Sequence, residues 1–233
     1  MSTICWKTTE EKRAALLALA KRRQADRSST RYSYLADFHN GYYECDHVSP
    51  WSISACNVNA QLMLIAQDWA SSDVLSKEPN GDRRQFGQDR SARTNVNVRE
   101  FLERCFLIQF SNTYATNLFP FIKEGRKNAT IKSEDLKYCA RTYAIPQIKI
   151  VSPRMAICLG KSTFTAVRHE AGQPPLDWKE ARSPNVHTRI GSVEIYGLPH
   201  PGPQGTLNAG GKDVVMGMWK ALANRLQELR EQT

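Results

Sequence analysis

The sequence predicts an α/β domain, a four-stranded parallel sheet flanked by helices. It reads as one domain over residues 1–233, with an N-terminal helical extension over about residues 1–55. Three observations predict it. Short apolar runs recur and each stops at a polar residue, as strands buried on both faces do. Segments of helical spacing alternate with them, the pattern of parallel βαβ units. The 233 residues, 41% hydrophobic and 24% charged, are enough for one buried core.

Each element has its own local signal. Thr9 to Arg27 has Ala14, Leu16, Leu17, Leu19 and Ala20 near one helical face, with Thr8 or Thr9 as the cap. Ser28 to Ser54 mixes aromatic and polar residues without a period and predicts loop. Gln61 to Ala66 is the first strand, and Ser71 to Asn97, with Pro79-Asn80-Gly81, predicts a long polar loop of functional type. A helix is expected over Val98–Gln109 and the second strand over Thr113–Leu118. Ser133 caps a helix from Glu134 to about Ile150, with a kink or break near Pro146. Met155–Leu159 is the third strand, Ser162–His169 a helix, Val193–Leu198 the fourth strand and Lys212–Gln232 the closing helix.

Charge and composition narrow the function. Lys and Arg number 32 against 23 Asp and Glu, a net charge of +9. Such a surplus suits a polyanion such as nucleic acid, because neutralised phosphates release counterions. A merely solvated basic surface fits the count equally well. No apolar run approaches the roughly 18 residues of a membrane span. Met1 to Lys7 lacks the basic start and apolar stretch of a secretory signal, which predicts a cytoplasmic protein with reduced thiols. The cysteines at 5, 45, 56, 105, 139 and 158 form no CxxC pair. His39, Cys45, His47 and Cys56 are soft-metal donors, but only Cys45-Asp46-His47 comes near the tight pairing of a zinc site, so buried thiols and surface histidines, and no metal, are expected.

The residues at the strand ends are the most informative. Gln67-Asp68 comes just after the first strand, Asn117 lies at the end of the second, Gly160-Lys161 closes the third and His200 the fourth. In open α/β sheets the ligand crevice lies outside the carboxyl ends of the strands. An acid, an amide and an imidazole therefore converge on one crevice. Singly, each has an ordinary structural use: a turn cap, a backbone partner, a turn residue.

These residues resemble the motifs of the uracil-DNA glycosylase superfamily. Ala66-Gln67-Asp68-Trp69-Ala70 is similar to a first motif read as GQDPY or GEAPG, Thr116-Asn117-Leu118 to the TN motif, and His200-Pro201-Gly202-Pro203 to HPSP. Asp135–Cys139 and Arg154–Gly160 resemble the family's intervening helix and its strand ending in Leu-Gly, so the similarity runs from about Gln61 to Pro203. It implies a three-layer α/β/α fold and a monofunctional glycosylase that hydrolyses the bond between uracil, or a related deaminated base, and deoxyribose in DNA. Asp68 and His200 would be catalytic, Asp68 orienting water and stabilising the cationic sugar, His200 donating to the leaving base. Gln67, Trp69, Asn117 and Phe86 would bind the flipped base, and Gly202, Gln204, Leu207, Lys161, Arg83 and Arg84 would contact DNA. Gly205, Gly210, Gly211, Arg90 and Arg93 could add to the phosphate grip.

The chain departs from the pattern at four places. The Tyr that excludes thymine is Ala70, with Trp69 as a substitute block. The Ser of HPSP is Gly202, and the intercalating Leu is Gln204, with Leu207 nearby. Of the four cysteines of an iron–sulfur branch only Cys139 is matched, so no cluster and no other cofactor is expected. The partner expected is DNA, bound by a monomer. No lysine stands out as a Schiff-base nucleophile, so strand cleavage is not expected; Lys161 after the third strand is the one exception, and its helix-start position suggests a phosphate contact or solvent exposure. A non-catalytic nucleic-acid-binding module and a hydrolase of free nucleosides remain as other readings.

Overall fold

The computed structural model describes residues 8–28 and 31–232. Met1–Lys7, Cys5 among them, lie outside the described residues. Helix α1 is Thr9–Ala25, opened by a capping box between Thr8 and Glu11. It ends two residues earlier than expected because Asp26 is extended. Residues 28–54 carry no α-helix among those described: Ser33 pairs with Ile122 in an isolated bridge, and short tight turns follow, ending at Pro50–Ser54. This segment is not a loose extension. Buried Arg23 reaches from α1 to the carbonyls of Cys45 and His47 and to the Glu44 carboxylate, pinning helix and loop together.

The first strand, β1, is Leu62–Asp68. The expected loop over 71–97 is instead largely helical: α2 is Ser72–Leu75, α3 Gly81–Phe86, and α4 Arg93–Phe101. These helices are short and polar, so no apolar period announces them. Asn80 caps α3 by accepting from the Arg83 N–H. After α4 a widened π turn, Leu102–Phe106, carries the chain to Leu107. Strand β2 is Tyr114–Phe119. Next come α5, Ser133–Cys139, and α6, Ile145–Val151, joined by a π turn at Ala140–Ala144. There is no break at Pro146. The wide turn closes with the Ile145 N–H on the Ala140 carbonyl, which leaves Pro146 in the first turn of α6, where no donor is required.

Strand β3 is Met155–Leu159, followed by α7, Lys161–Glu170, and α8, Trp178–Ala181. Strand β4, His187–Ile190, and strand β5, Val193–Leu198, form a hairpin. Helices α9, Pro203–Asn208, and α10, Lys212–Glu231, complete the described chain. The sheet thus has five strands, in the order β2-β1-β3-β5-β4. The four expected strands are parallel, and the fifth, β4, is an antiparallel edge. Its four residues alternate in burial, too short a pattern to read against the polar stretch before it.

Alternate strand residues feed two cores. Met63, Ile65, Ala156, Cys158 and Ile195 pack on the α5–α6 arm and α7. Leu62, Leu64, Ile157, Leu159 and Tyr196 pack on α4 and α10, with Trp219 at the centre. The protein is therefore one α/β domain with helices on both faces of the sheet. Among the described residues no helix is long and apolar enough to cross a membrane.

Candidate active site

The parallel register delivers three polar side chains to one end of the sheet. Asn117 sits opposite Ala66, and Asp68, the last residue of β1, opposite Phe119. His200 lies two residues past β5, beside the end of β3. All three line a cavity of about 310 Å³, together with Trp51, Trp69 and Arg83. Gln67 and Lys161 line an adjoining lobe of about 340 Å³ that shares Asp68 and His200.

The geometry of His200 fixes its chemistry. The Gly202 N–H donates to His200 Nδ1 over 3.1 Å, so Nδ1 is the acceptor and Nε2 carries the proton of the neutral ring. His200 keeps contact with water at the cavity mouth, yet protein packed around it holds its pKa below the ordinary histidine range. Lys127 and Lys123 push the same way, and Asp68 opposes them. The turn is held from behind by Asn97, whose Nδ2 donates to the Pro201 carbonyl over 2.6 Å.

Gly202 and Gly205 are required by this packing. A Cβ on Gly202 would lie 2.9 Å from both His200 Nδ1 and Thr94 Oγ1, and one on Gly205 only 2.1 Å from the His200 carbonyl oxygen. Their small size brings α4 and α9 against the histidine turn. The Gly202 N–H is spent on His200 and is not free for a phosphate.

Asp68 has two donors. Gln67 Nε2 lies 3.2 Å from Oδ1, and Lys123 Nζ 2.9 Å from Oδ2. Asn117 is buried and its Oδ1 accepts from the Ser49 hydroxyl, which itself accepts the Trp51 N–H. That bond turns the Nδ2 donors away from Ser49. Asp89, at the cavity edge, accepts from Ser91 and faces Arg83 at 3.6 Å, and its pKa lies below the usual carboxylate range, chiefly through the Ser91 hydroxyl.

Trp69 donates its indole N–H to the Gly87 carbonyl over 2.7 Å and packs edge-on against Tyr43, which fixes its ring in the cavity wall. Phe86 is not in that wall. Its ring carries the Arg90 guanidinium at 4.6 Å, and Trp51 and Trp69 are the aromatic residues lining the cavity. Arg84 is also turned away, stacked on Tyr42 at 4.5 Å and bonded to the Tyr42 carbonyl. Gln204 pairs with Asn208 on α9, while Leu207 on the same helix is 71% exposed.

Sequence reasoning passed over Lys123, Ser49, Thr94 and Asn97. Lys123 alone had a local signal, a lysine closing the apolar run Leu118–Ile122. Among the described residues no group of three His, Cys, Asp or Glu is arranged to hold a metal ion. His39 Nε2 meets the Leu75 carbonyl at 2.6 Å, and burial pushes the Cys45 thiol up to about 11.

No protein-family model matches the chain, and no curated protein matches it in sequence.

Proposed function

We propose that this protein is a DNA glycosylase of the uracil-DNA glycosylase type, acting on uracil or a related deaminated base. The observation that carries the reading is the meeting of Asp68, Asn117 and a neutral His200 in one cavity. At about 310 Å³ it sits at the lower end of small-ligand pockets, roughly 300–1,000 Å³, the size for one base and part of its sugar.

Breaking the glycosidic bond leaves a cation-like sugar and an anionic base. The His200 Nε2–H is a donor that costs no proton transfer, suited to the charge developing on uracil O2. Asp68 offers a carboxylate to the sugar cation and to the attacking water. The Asn117 Nδ2 donors match the O4 carbonyl, and the free lone pair of Oδ1 matches N3–H. Trp69, held by Gly87 in the cavity wall, would serve as the block to a thymine methyl. Exposed Leu207 is available to fill the gap left by a flipped base, while Arg83 and Lys161, which line the two lobes, would contact the phosphates.

A second reading is a base-binding module without catalysis. Gly202 brings no hydroxyl, and the Gln204 side chain is engaged within its own helix. One experiment separates the two. An oligonucleotide with a single uracil, and others with hypoxanthine, xanthine or a T·G mismatch, are incubated with the protein and then heated in alkali. Cleavage at the uracil alone supports the glycosylase. Cleavage at the others widens the pocket, and none anywhere, with salt-sensitive binding intact, leaves the binding module.

A further inference from the structure

The cavity contains a group that hydrolysis by Asp68 and His200 does not use. Lys123, four residues past β2, is the one buried lysine among the described residues, its side chain only 6% exposed. Burying an ammonium strips its hydration, and one carboxylate returns only part of it. Lys127 and Lys161 line the adjoining lobe but stay exposed, as solvated phosphate contacts would. Lys123 lines both lobes, between the carboxylate of Asp68 and the mouth held by His200. Both lobes open onto this amine, so a ligand that fills either of them meets it.

We propose that Lys123 is a Schiff-base nucleophile and that this cavity cleaves the DNA strand at an abasic site. The proposal rests on the glycosylase reading for the entry of a flipped nucleotide. Asp68 Oδ2, 2.9 Å from Nζ, takes a proton from the ammonium and frees its lone pair. The amine adds to the C1′ aldehyde of the ring-opened deoxyribose. The resulting hydroxyl leaves as water, carrying the proton held by Asp68, and an iminium forms. Asp68, again a carboxylate, removes a C2′ proton. The C3′–O bond then breaks and the 3′ phosphate departs with its strand. Water hydrolyses the unsaturated imine and returns the lysine. Nothing is oxidised or reduced, and water is the only co-reactant. The sequence offers Lys161 and not Lys123 because Lys123 meets Asp68 only through the pairing of β1 with β2.

The test uses DNA carrying a preformed abasic site, so that base release is bypassed, with sodium borohydride to reduce any imine. The expected result is a covalent protein–DNA adduct mapped by peptide mass spectrometry to Lys123, together with strand nicking without alkali. Lys123→Arg, which preserves a cation for Asp68, loses both, while Lys149→Arg and Lys220→Arg, at exposed lysines outside both lobes, keep them. An adduct at any other amine overturns the proposal, as does absence of an adduct. Running the uracil oligonucleotide with hot alkali in parallel keeps the two readings apart. Alkali-labile sites without a Lys123 adduct sink only the lyase, and a Lys123 adduct without alkali-labile sites sinks only the base-release step.

Discussion

The Gly202 N–H donates to Nδ1 of His200, and that one backbone bond determines which ring nitrogen can face a ligand. A proton on Nδ1 would put two donors against each other, so the bond and the neutral ring support one another. The histidine is therefore expected to protonate below its ordinary value of 6.5, and under the proposed glycosylase function base release should stay level on acidification to that point and fall only beyond it. Lys127 contributes repulsion, so Lys127→Ala should raise the His200 midpoint towards 6.5. An imidazole proton titration by NMR on the free protein reads both. A midpoint above 6.5 in the wild type would contradict the geometry.

Gly202 stands where the HPSP motif that His200–Pro203 resembles has a serine, and a serine cannot simply be introduced there. Its backbone is extended and unstrained at φ −72°, so the obstacle is purely steric. A new Cβ meets Thr94 Oγ1 and the imidazole together. Gly202→Ser should cost about 1–3 kcal/mol of stability, the range for overpacked sites. It should also weaken DNA binding, because the histidine turn moves. Thr94→Ala removes one of the two contacts and should recover part of the stability in the double variant. Thermal unfolding of the four proteins measures this, and a Gly202→Ser protein as stable as the parent would show that the turn yields without cost.

The parts of this architecture visible in the sequence were local ones. An apolar run ending in a polar residue marked β1, β2, β3 and β5, and the same boundary exposed Asp68, Asn117 and His200. The hidden parts depend on contacts across the chain. Ser49 reaches Asn117 over 68 positions and Asn97 reaches Pro201 over 104. Neither pairing leaves a pattern in either segment. Phe86 was misplaced for a related reason. The resemblance offers Phe86 as the stacking aromatic, against the ordinary use of a Phe in packing, while the fold gives that wall to Trp51, from a segment read as loop, and to Trp69.

Asp68 has a structural role, as counter-charge to Lys123, beside the chemical one proposed for it. Asp68→Asn should abolish most base release while uracil-containing DNA still binds, measured by single-turnover cleavage and by binding at fixed salt. It also leaves the Lys123 ammonium buried without a counter-charge, which should lower stability by a few kcal/mol, about 3–5 at the upper end. Adding Lys123→Met removes the stranded charge and should restore much of that stability without restoring activity. Near-normal turnover in Asp68→Asn would end its assignment, and unchanged stability would mean that Lys123 does not depend on it.

At the opposite end of the sheet, Glu194 offers a pH test that is independent of the active site. It is buried on β5 and held by Arg225 at 2.9 and 3.0 Å, Tyr196 at 2.7 Å and Arg189 at 2.6 Å. Burial alone would raise its pKa, but these donors outweigh it and bring the carboxyl down to about 2. In the unfolded chain it returns to about 4.5. A carboxylate depressed on folding stabilises the fold fully above the unfolded value and loses that contribution as pH falls through the folded one. Between pH 4.5 and 2 the wild type should therefore lose on the order of 2 kcal/mol through this group. Glu194→Gln lacks the charge at every pH, so it should be markedly less stable at neutrality. Its stability curve should approach the wild-type curve below pH 3, because protonation is by then removing the same charge from the wild type. Urea unfolding at a series of pH values measures the gap. A gap that stays constant from pH 7 to 3 would mean that Arg225 and Arg189 hold the strand edge without help from this charge.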